Sequence, residues 1–343
     1  MAFTKKHRTP TQLTADARAA VRVILEQYFV SGFLPSRNNP SLNFQFDVNQ
    51  TSLPAAARFR SFNSAADVGT TDGSENRSGK LPPISRRLHV DEATELALYG
   101  NGALIGDKFK EYAQRIATQI AARVVLAQGE AIETGKVTIN ERGISATIDY
   151  GRKASHTANA ASGWWSSTGT ATPLADLEAA RAVYGKDPAT TLLSPEIVAA
   201  LQKNEDMMNL ILGRGDNLPS RVSREDVLSF LTSEGFGQVV VNNDQLIGTT
   251  GVTKRVISEK KVVFLPSADV PVLGGGGALG TTDWGITAEA INSDNGIPSG
   301  ERAGVYSGAL ESHDPEGFDV LVSAITLPVV TSADSTFALQ VLA

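Results

Sequence analysis

The glycines at 275–280 are the residues whose spacing best fits a ligand-binding motif. They read Gly-Gly-Gly-Ala-Leu-Gly and match the pattern G-x-G-x-x-G. That pattern binds a pyrophosphate when a strand precedes it and a helix begins on it, because backbone N–H groups at the helix N-terminus then point at the anion. Here the segment TTDWGI follows at 281–286, and it does not begin a helix. The sequence therefore predicts a flexible surface loop rather than a dinucleotide site.

The candidate nucleophile is a serine in an S-x-x-K pattern. Ser258 and Lys261 match this pattern of penicillin-recognising enzymes, but we do not expect the S-D-N and K-T-G elements that accompany it there. The chain also lacks a P-loop and the G-x-S-x-G pattern of serine hydrolases. A triad assembled from distant Ser, His and Asp residues stays open, and with it the alternative of a soluble hydrolase.

The possible metal ligands are scattered along the chain. The four histidines do not form a pair such as H-E-x-x-H; they are His7, His89, His156 and His313. The acidic pairs Glu205-Asp206 and Glu225-Asp226 are neighbours in sequence, so on a helix the two carboxylates of each pair diverge. We therefore predict no catalytic, cofactor-binding or metal-binding residues, and a protein that is not an enzyme.

The composition is that of an ordinary globular protein. The chain has 343 residues, with 31 basic and 37 acidic side chains, so its formal net charge of −6 does not favour bulk nucleic-acid binding. It has no cysteine, which excludes disulfides and thiolate nucleophiles. Neither a signal peptide nor an apolar run long enough to span a bilayer is visible, and we expect no membrane association.

A long helix followed by a hairpin is the clearest structural pattern. Apolar residues recur at three- and four-residue spacing from 107 to 128, and Gly129 and Gly135 are predicted to break the helix. Alternating apolar residues on either side of the turn at 140–143 then predict a β-hairpin. Upstream, Thr14 is predicted to cap a helix that ends near Phe29, and a short strand is predicted around residues 42–46.

Residues 51–89 have little apolar patterning and many glycines and prolines. They read either as a disordered loop or as an arm that becomes ordered only on neighbouring subunits. Their six basic and three acidic residues give +3, whereas residues 91–134 have four basic and seven acidic residues and give −3. Opposite charges of this kind steer an arm onto its neighbour.

The second half of the chain alternates helices and strands and then becomes β-rich. Trp164 and Trp165 lie in a loop and are expected to anchor the crossing between two domains. Thr172-Pro173, Ser194-Pro195 and Ser223 are predicted helix starts, and strands are predicted at 190–193 and 239–241, so residues from 173 to about 250 form an α/β domain. Strand-like segments then occur at 262–265, 283–286, 304–306, 318–327 and 337–342.

Several of these segments, in this order, resemble one known family. The helix-to-hairpin segment AIETGKVTI (131–139) with IDYG (148–151) is similar to the spine helix and hairpin of major capsid proteins of tailed bacteriophages, in the lambda-type capsid E family. Further similar blocks are TTLLSP (190–195), KVVFLP (261–266), LGTTDWGIT (279–287), AITLPV (324–329) and FALQVL (337–342). Each block is short, and the resemblance rests on their order from residue 90 onwards.

The resemblance implies an α+β fold of the Hong Kong 97 type. It implies an N-terminal arm at 1–45, an extended loop at 46–93, a peripheral domain with the spine helix at 94–172, an axial domain at 173–305, and a return of 306–343 to the peripheral domain. Some members of the family form Lys–Asn crosslinks; Lys80 lies in the implied extended loop, but no acceptor or catalytic Glu is identified.

The implied function is structural. The chain would be the major capsid (head) protein, which self-assembles into pentamers and hexamers of an icosahedral shell, encloses double-stranded DNA without sequence specificity, and is built in the host bacterial cytoplasm. A separate scaffolding protein is expected, because no long charged helical segment precedes the arm, together with a portal and a possible decoration protein. The alternative within the same fold is an encapsulin-like nanocompartment shell.

Overall fold

The computed structural model describes residues 3–48, 75–141, 143–213, 219–268, 279–313 and 316–343. Its helices are α1 (Pro10–Gln27), α2 (Glu92–Ala97), α3 (Gly102–Thr134), α4 (Pro173–Tyr184), α5 (Pro195–Lys203), α6 (Glu205–Leu212), α7 (Arg224–Ser233) and α8 (Ala288–Ile291). None of these described helices is both long enough and apolar enough to cross a membrane.

The first half of the chain supplies eight strands. They are β1 (Phe3–Thr4), β2 (Ser36–Asn38), β3 (Asn43–Val48), β4 (Glu75–Lys80), β5 (Pro83–Val90), β6 (Lys136–Glu141), β7 (Ile144–Asp149) and β8 (Thr157–Asn159). The second half supplies β9 (Thr190–Leu193), β10 (Gln238–Val241), β11 (Gln245–Ile247), β12 (Thr253–Arg255), β13 (Lys261–Leu265), β14 (Gly280–Trp284), β15 (Tyr306–His313), β16 (Glu316–Val330) and β17 (Phe337–Gln340).

A six-stranded sheet holds one half of the molecule together. Its order is β1-β15-β16-β14-β2, and β5 pairs with β16 as well. The 15-residue strand β16 is long enough to pair with β15 and β5 along its first part and with β14 along its last part. Helices α1 and α3 pack against this sheet and form a common apolar core with it.

Helix α3 is longer than the sequence pattern predicts. It runs for 33 residues, about 50 Å at 1.5 Å per residue, and continues through Gly129. Gly129 lies inside the helix and allows close packing there: a Cβ at this position would lie 2.0 Å from the carbonyl oxygen of Val256. The helix ends at Gly135, which adopts the left-handed conformation with φ 70°.

The start of α1 differs from the predicted cap at Thr14. The N-cap is Thr9, whose side chain accepts a hydrogen bond from the Gln12 backbone N–H, while the Gln12 side chain accepts one from the Thr9 N–H. Pro10 fits the first helical position because its missing N–H has no partner there in any helix. Thr14 is instead buried and exchanges hydrogen bonds with the backbone of Ser307.

Thr9→Ala is expected to destabilise the folded chain by about 1 kcal/mol, because it removes the acceptor of this reciprocal cap. The free energy of unfolding in urea measures the effect. Thr9→Ser, which keeps the hydroxyl, is the control and should remain within about 0.5 kcal/mol of the parent protein. An equal loss in both variants would contradict the cap.

A five-stranded sheet, ordered β10-β9-β13-β17-β8, holds the other half. The predicted helix starts are confirmed here: α4 begins at Pro173, α5 is capped by the Ser194 side chain, and α7 by that of Ser223. Side chains alternate along β9 and β13, so Leu192 and Val263 face the core around α3, whereas Leu193 and Phe264 face the core of α4 to α7.

Two strands of the second half pair away from their neighbours in the chain. Strand β17 lies within 306–343 and pairs with β13 in the five-stranded sheet. Its Phe337 and Leu339 are buried in the same core as Phe264. Conversely, β14 lies within 173–305 but pairs with β16 in the six-stranded sheet. The chain therefore crosses between the two sheets twice after β13.

The implied extended loop at 46–93 is described only in part. Strands β3 and β4 form an antiparallel hairpin, which confirms the strand predicted around residues 42–46. Strand β5 is not an arm that needs a neighbour for order, because it pairs with β16 from Pro83 to Val90 within the same chain. Residues 49–74, which include most of the predicted arm, and the glycines at 275–277 lie outside the described residues.

Candidate assembly surfaces

The serine and lysine of the S-x-x-K pattern bind one glutamate. The backbone N–H of Ser258 donates to Glu133 Oε2 over 2.9 Å, and Lys261 Nζ lies 2.8 Å from Glu133 Oε1. Lys261 is therefore held in an ion pair at the C-terminal end of α3 and is not directed at the Ser258 hydroxyl. The pattern fastens the five-stranded sheet to the spine helix.

A second element of the same enzymes, S-D-N, is also present at Ser293-Asp294-Asn295. The expectation that S-D-N does not accompany the Ser258 pattern is therefore wrong, and residues 293–295 alone carry the signal. It forms a short 3₁₀ turn in which Asn295 Nδ2 donates to the Glu289 carbonyl. The residues on either side of this turn, Ala290 and Ile297, share a core with Tyr306, whereas Ser258 binds Glu133 at the end of α3. The two patterns therefore serve separate parts of the structure.

The histidines are dispersed in the structure as in the sequence. His89 Nδ1 lies 3.0 Å from Asp319 Oδ1, but its buried Nε2 has no hydrogen-bond partner, so no described serine completes a triad there. His156 is buried with its Nδ1 near the Thr336 carbonyl, and His7 packs between Phe109 and Phe318. Within the described ranges no three His, Asp or Glu side chains are placed to hold a metal ion.

The two acidic pairs lie in first turns of helices. Glu205 and Asp206 begin α6, and Glu225 and Asp226 begin α7. Carboxylates at this position complement the partial positive charge of the helix N-terminus. Their role is thus structural.

The paired tryptophans differ in environment. Trp165 is fully buried, whereas Trp164 is 36% exposed. The Trp165 indole N–H donates to Asp176 Oδ2 over 2.9 Å, and Asp176 also accepts from the backbone N–H groups of Ala161 and Ser162 and from the Ser162 hydroxyl. Four donors on one buried carboxylate fix the loop before α4 onto that helix.

A half-buried arginine joins the spine helix to the second sheet. Arg152 donates to the carbonyls of Ile132 and Glu133, the last acceptors of α3, and to the hydroxyls of Thr336 and Thr157. Burial lowers the pKa of Arg152 to about 10, although Glu133 and Asp334 oppose the shift. Together with the Glu133 contacts, these hydrogen bonds hold the end of α3 against the five-stranded sheet.

The β3–β4 hairpin contacts the residues at the end of β7, which lie next to the end of α3. Phe46 contacts the ring of Tyr150, and Arg77 donates to the Asp149 carbonyl over 2.7 Å. Tyr150 in turn donates its hydroxyl to the Pro328 carbonyl, and burial raises its pKa above the ordinary value. The hairpin is thus oriented by the six-stranded sheet, and its Phe44 and Phe46 are buried in the core around α3.

A groove separates the β3–β4 hairpin from the β6–β7 hairpin. Its volume is about 940 Å³, and apolar side chains of both hairpins line it, among them Phe44 and Ile148. Leu42 and Ile144 lie at the groove and are 49% and 38% exposed, and Lys80 is exposed there as well. An apolar groove of this size on a folded subunit is typical of a binding surface. We call it the hairpin groove.

The segment before the spine helix presents a second apolar surface. Leu96 is 65% and Tyr99 87% exposed, and the Tyr99 N–H donates to the Leu96 carbonyl, so the two are one turn apart. Asp91 caps α2, and hydrogen bonds from Thr94 lower its pKa. The surface is therefore apolar and flanked by acidic residues. Neither this surface nor the groove was predicted from the sequence, where the only signal is a large apolar residue, Tyr99, directly before Gly100.

Comparisons with known proteins agree with a shell-forming role. The family described as phage major capsid protein E matches residues 11–341. A crystal structure named for the capsid protein of a prophage of E. coli CFT073 is 15% identical, with a TM-score of 0.64 over 96% of this chain and 99% of that one. A phage-related protein from Bordetella bronchiseptica RB50 is 11% identical, with a TM-score of 0.55 over 96% and 95% of the two chains.

Among curated protein sequences none matches this chain significantly. The two structures above show the fold, which is the α+β capsid fold of the Hong Kong 97 type, and the family match covers nearly the whole chain. The family resemblance read from the sequence is thereby confirmed: the chain belongs to the phage major capsid protein E family.

Proposed function

We propose that copies of this chain form the pentamers and hexamers of an icosahedral bacteriophage head that encloses double-stranded DNA. The family match over residues 11–341 carries the proposal, and it favours a phage head over an encapsulin-like nanocompartment or a soluble hydrolase. The hairpin groove and the exposed Leu96 and Tyr99 support it, because a subunit that acts alone rarely exposes such surfaces.

We assign the parts of the subunit from the sheets rather than from chain order. The six-stranded sheet with α1 and α3 is the peripheral part, and the five-stranded sheet with α4 to α7 is the axial part that surrounds the symmetry axes. The segment that the resemblance makes an arm, 1–45, belongs largely to the peripheral part, because α1 lies in its core and β1 and β2 in its sheet. The loop from 46 to about 80 makes contacts between subunits. The part from β5 to Ala97 belongs to the peripheral part, because β5 pairs there.

The proposed partners follow from the role of a shell. A separate scaffolding protein directs assembly in the host cytoplasm, a portal occupies one vertex, and a decoration protein is a further candidate. The net charge of −6 gives only weak attraction to DNA, which suits a lining along which DNA is packaged without sequence specificity. The chain itself performs no catalysis in this role.

Electron microscopy of the purified protein, alone and co-expressed with its neighbouring scaffold gene, tests the proposal. We expect closed icosahedral particles, and particles isolated from phage-producing cells should contain DNA. Shells that contain a cargo enzyme and no DNA would indicate the nanocompartment. A monomer in gel filtration that hydrolyses esters, and loses that activity on replacement of one serine, would indicate the hydrolase.

A further inference from the structure

We propose that the hairpin groove of one subunit receives helix α2 of a second copy, with Leu96 and Tyr99 inserted into the groove. The inference rests on the proposed assembly function and names the surfaces through which two subunits meet. The evidence is that both surfaces are apolar and that the charged residues beside them have opposite signs.

The groove offers an apolar floor with a basic side. Phe44 and Ile148 are among its lining residues, Leu42 and Ile144 are partly exposed, and Lys80 carries an exposed positive charge. The other charged lining residues, Arg77 and Asp149, interact with each other. A volume of about 940 Å³ accommodates several side chains.

Helix α2 and the turn after it, which contains Tyr99, offer an apolar surface beside acidic residues. Leu96 and Tyr99 are among the most exposed large apolar side chains of the described residues. Three acidic residues lie on the same short segment: Asp91, Glu92 and Glu95. An aromatic anchor flanked by acidic groups fits an apolar groove with a basic side, because the aromatic ring supplies affinity and the charges supply orientation.

The two surfaces cannot meet within one subunit. Strand β5 starts at the groove with Pro83 and ends at Val90, just before α2, and eight extended residues span about 26 Å. The spine helix gives the same result: Glu141, at the end of β6, is ion-paired with Arg123, and the 22 residues from Gly102 to Arg123 rise about 32 Å. The α2 that enters the groove must therefore belong to another copy.

The contact is heterologous, since one subunit gives α2 and the next gives the groove. Repetition of a heterologous contact closes into a ring when the rotation between neighbours divides a full turn, and otherwise gives an open filament. The same pair of surfaces thus serves in both a pentamer and a hexamer, provided that the groove tolerates a small change of angle.

Crosslinking of introduced cysteines tests the contact, because the native chain has none. The double variant Tyr99→Cys/Ile144→Cys, treated as assembled particles with a short bismaleimide, should give a ladder of oligomers that ends at five and six chains. Each single variant should give no ladder. Both positions are exposed, so folding should be unaffected.

The matched control replaces the groove position with an exposed apolar residue elsewhere. Tyr99→Cys/Val183→Cys carries its second cysteine on α4, where Val183 is 49% exposed, and should give only background dimer. Equal yields from the two double variants in closed particles would overturn the inference and leave the proposed function standing. An absence of both particles and oligomers would overturn the proposed function as well.

Charge reversal adds a second readout. Introduced into the crosslinking variant, Lys80→Glu should reduce the ladder about two- to fivefold, as expected for one exposed ion pair. Addition of Glu95→Lys should restore the yield. A loss that Glu95→Lys deepens would contradict the proposed orientation of α2.

Discussion

Gly129→Ala is expected to destabilise the subunit by about 2–3 kcal/mol, although alanine favours an isolated helix by about 1 kcal/mol over glycine. The added Cβ would lie 2.0 Å from the Val256 carbonyl oxygen and 2.9 Å from its carbonyl carbon. These are backbone atoms, so relief requires the spine helix and the segment before Ile257 to separate. Urea denaturation of the unassembled subunit measures the loss, and a low yield of soluble protein is expected alongside it.

Gly300→Ala is the matched control for this substitution. A Cβ at Gly300 would meet no atom within 4 Å, and the residue lies in a short 3₁₀ turn at an ordinary φ. The free energy of unfolding should therefore stay within about 0.5 kcal/mol of the parent value. If Gly129→Ala proves as stable as Gly300→Ala, the close packing of α3 on Val256 is wrong.

Asp176→Ala should cost about 4 kcal/mol, because it leaves four donors without their acceptor. One of the donors is the indole N–H of the fully buried Trp165, which has no access to water. Trp165 should therefore lose its fixed environment, and its fluorescence should shift to longer wavelength. Thermal unfolding and fluorescence of the unassembled subunit measure the two effects.

Two control variants distinguish the loss of the Asp176 carboxylate from a general change in helix α4. Glu178→Ala changes an exposed acidic residue of the same helix and should alter stability by no more than about 0.5 kcal/mol. Asp176→Asn keeps one acceptor oxygen and should lose about half as much as Asp176→Ala. A fluorescence spectrum that stays unchanged in Asp176→Ala would show that Trp165 does not depend on this carboxylate.

Local signals in the sequence predicted much of the secondary structure. Ser194-Pro195 and Ser223 begin helices as predicted, since a capping side chain acts within three residues of its own position. The hairpin at 136–149 follows from alternation on both sides of a short turn. The cap predicted at Thr14 is wrong, because Thr14 is buried against Ser307, which is distant in sequence.

Long-range contacts explain most of the remaining differences. Gly129 looks like a helix end until Val256 is known to pack on it. Strand β17 follows β16 in the chain, but its pairing with β13 places it in the other sheet, which the sequence pattern does not indicate. The hairpin groove combines side chains from both hairpins that only the fold brings together, so the spacing of residues could not predict it.

The sharing of β9 and β13 between two cores has a mechanical consequence. Leu192 and Val263 face one core while Leu193 and Phe264 face the other, so these strands contribute to both at once. Bending the peripheral part against the axial part would therefore disturb packing on both faces of one sheet. When a head changes diameter, we expect this subunit to move as one rigid body. The change of curvature should then occur at the interfaces between subunits.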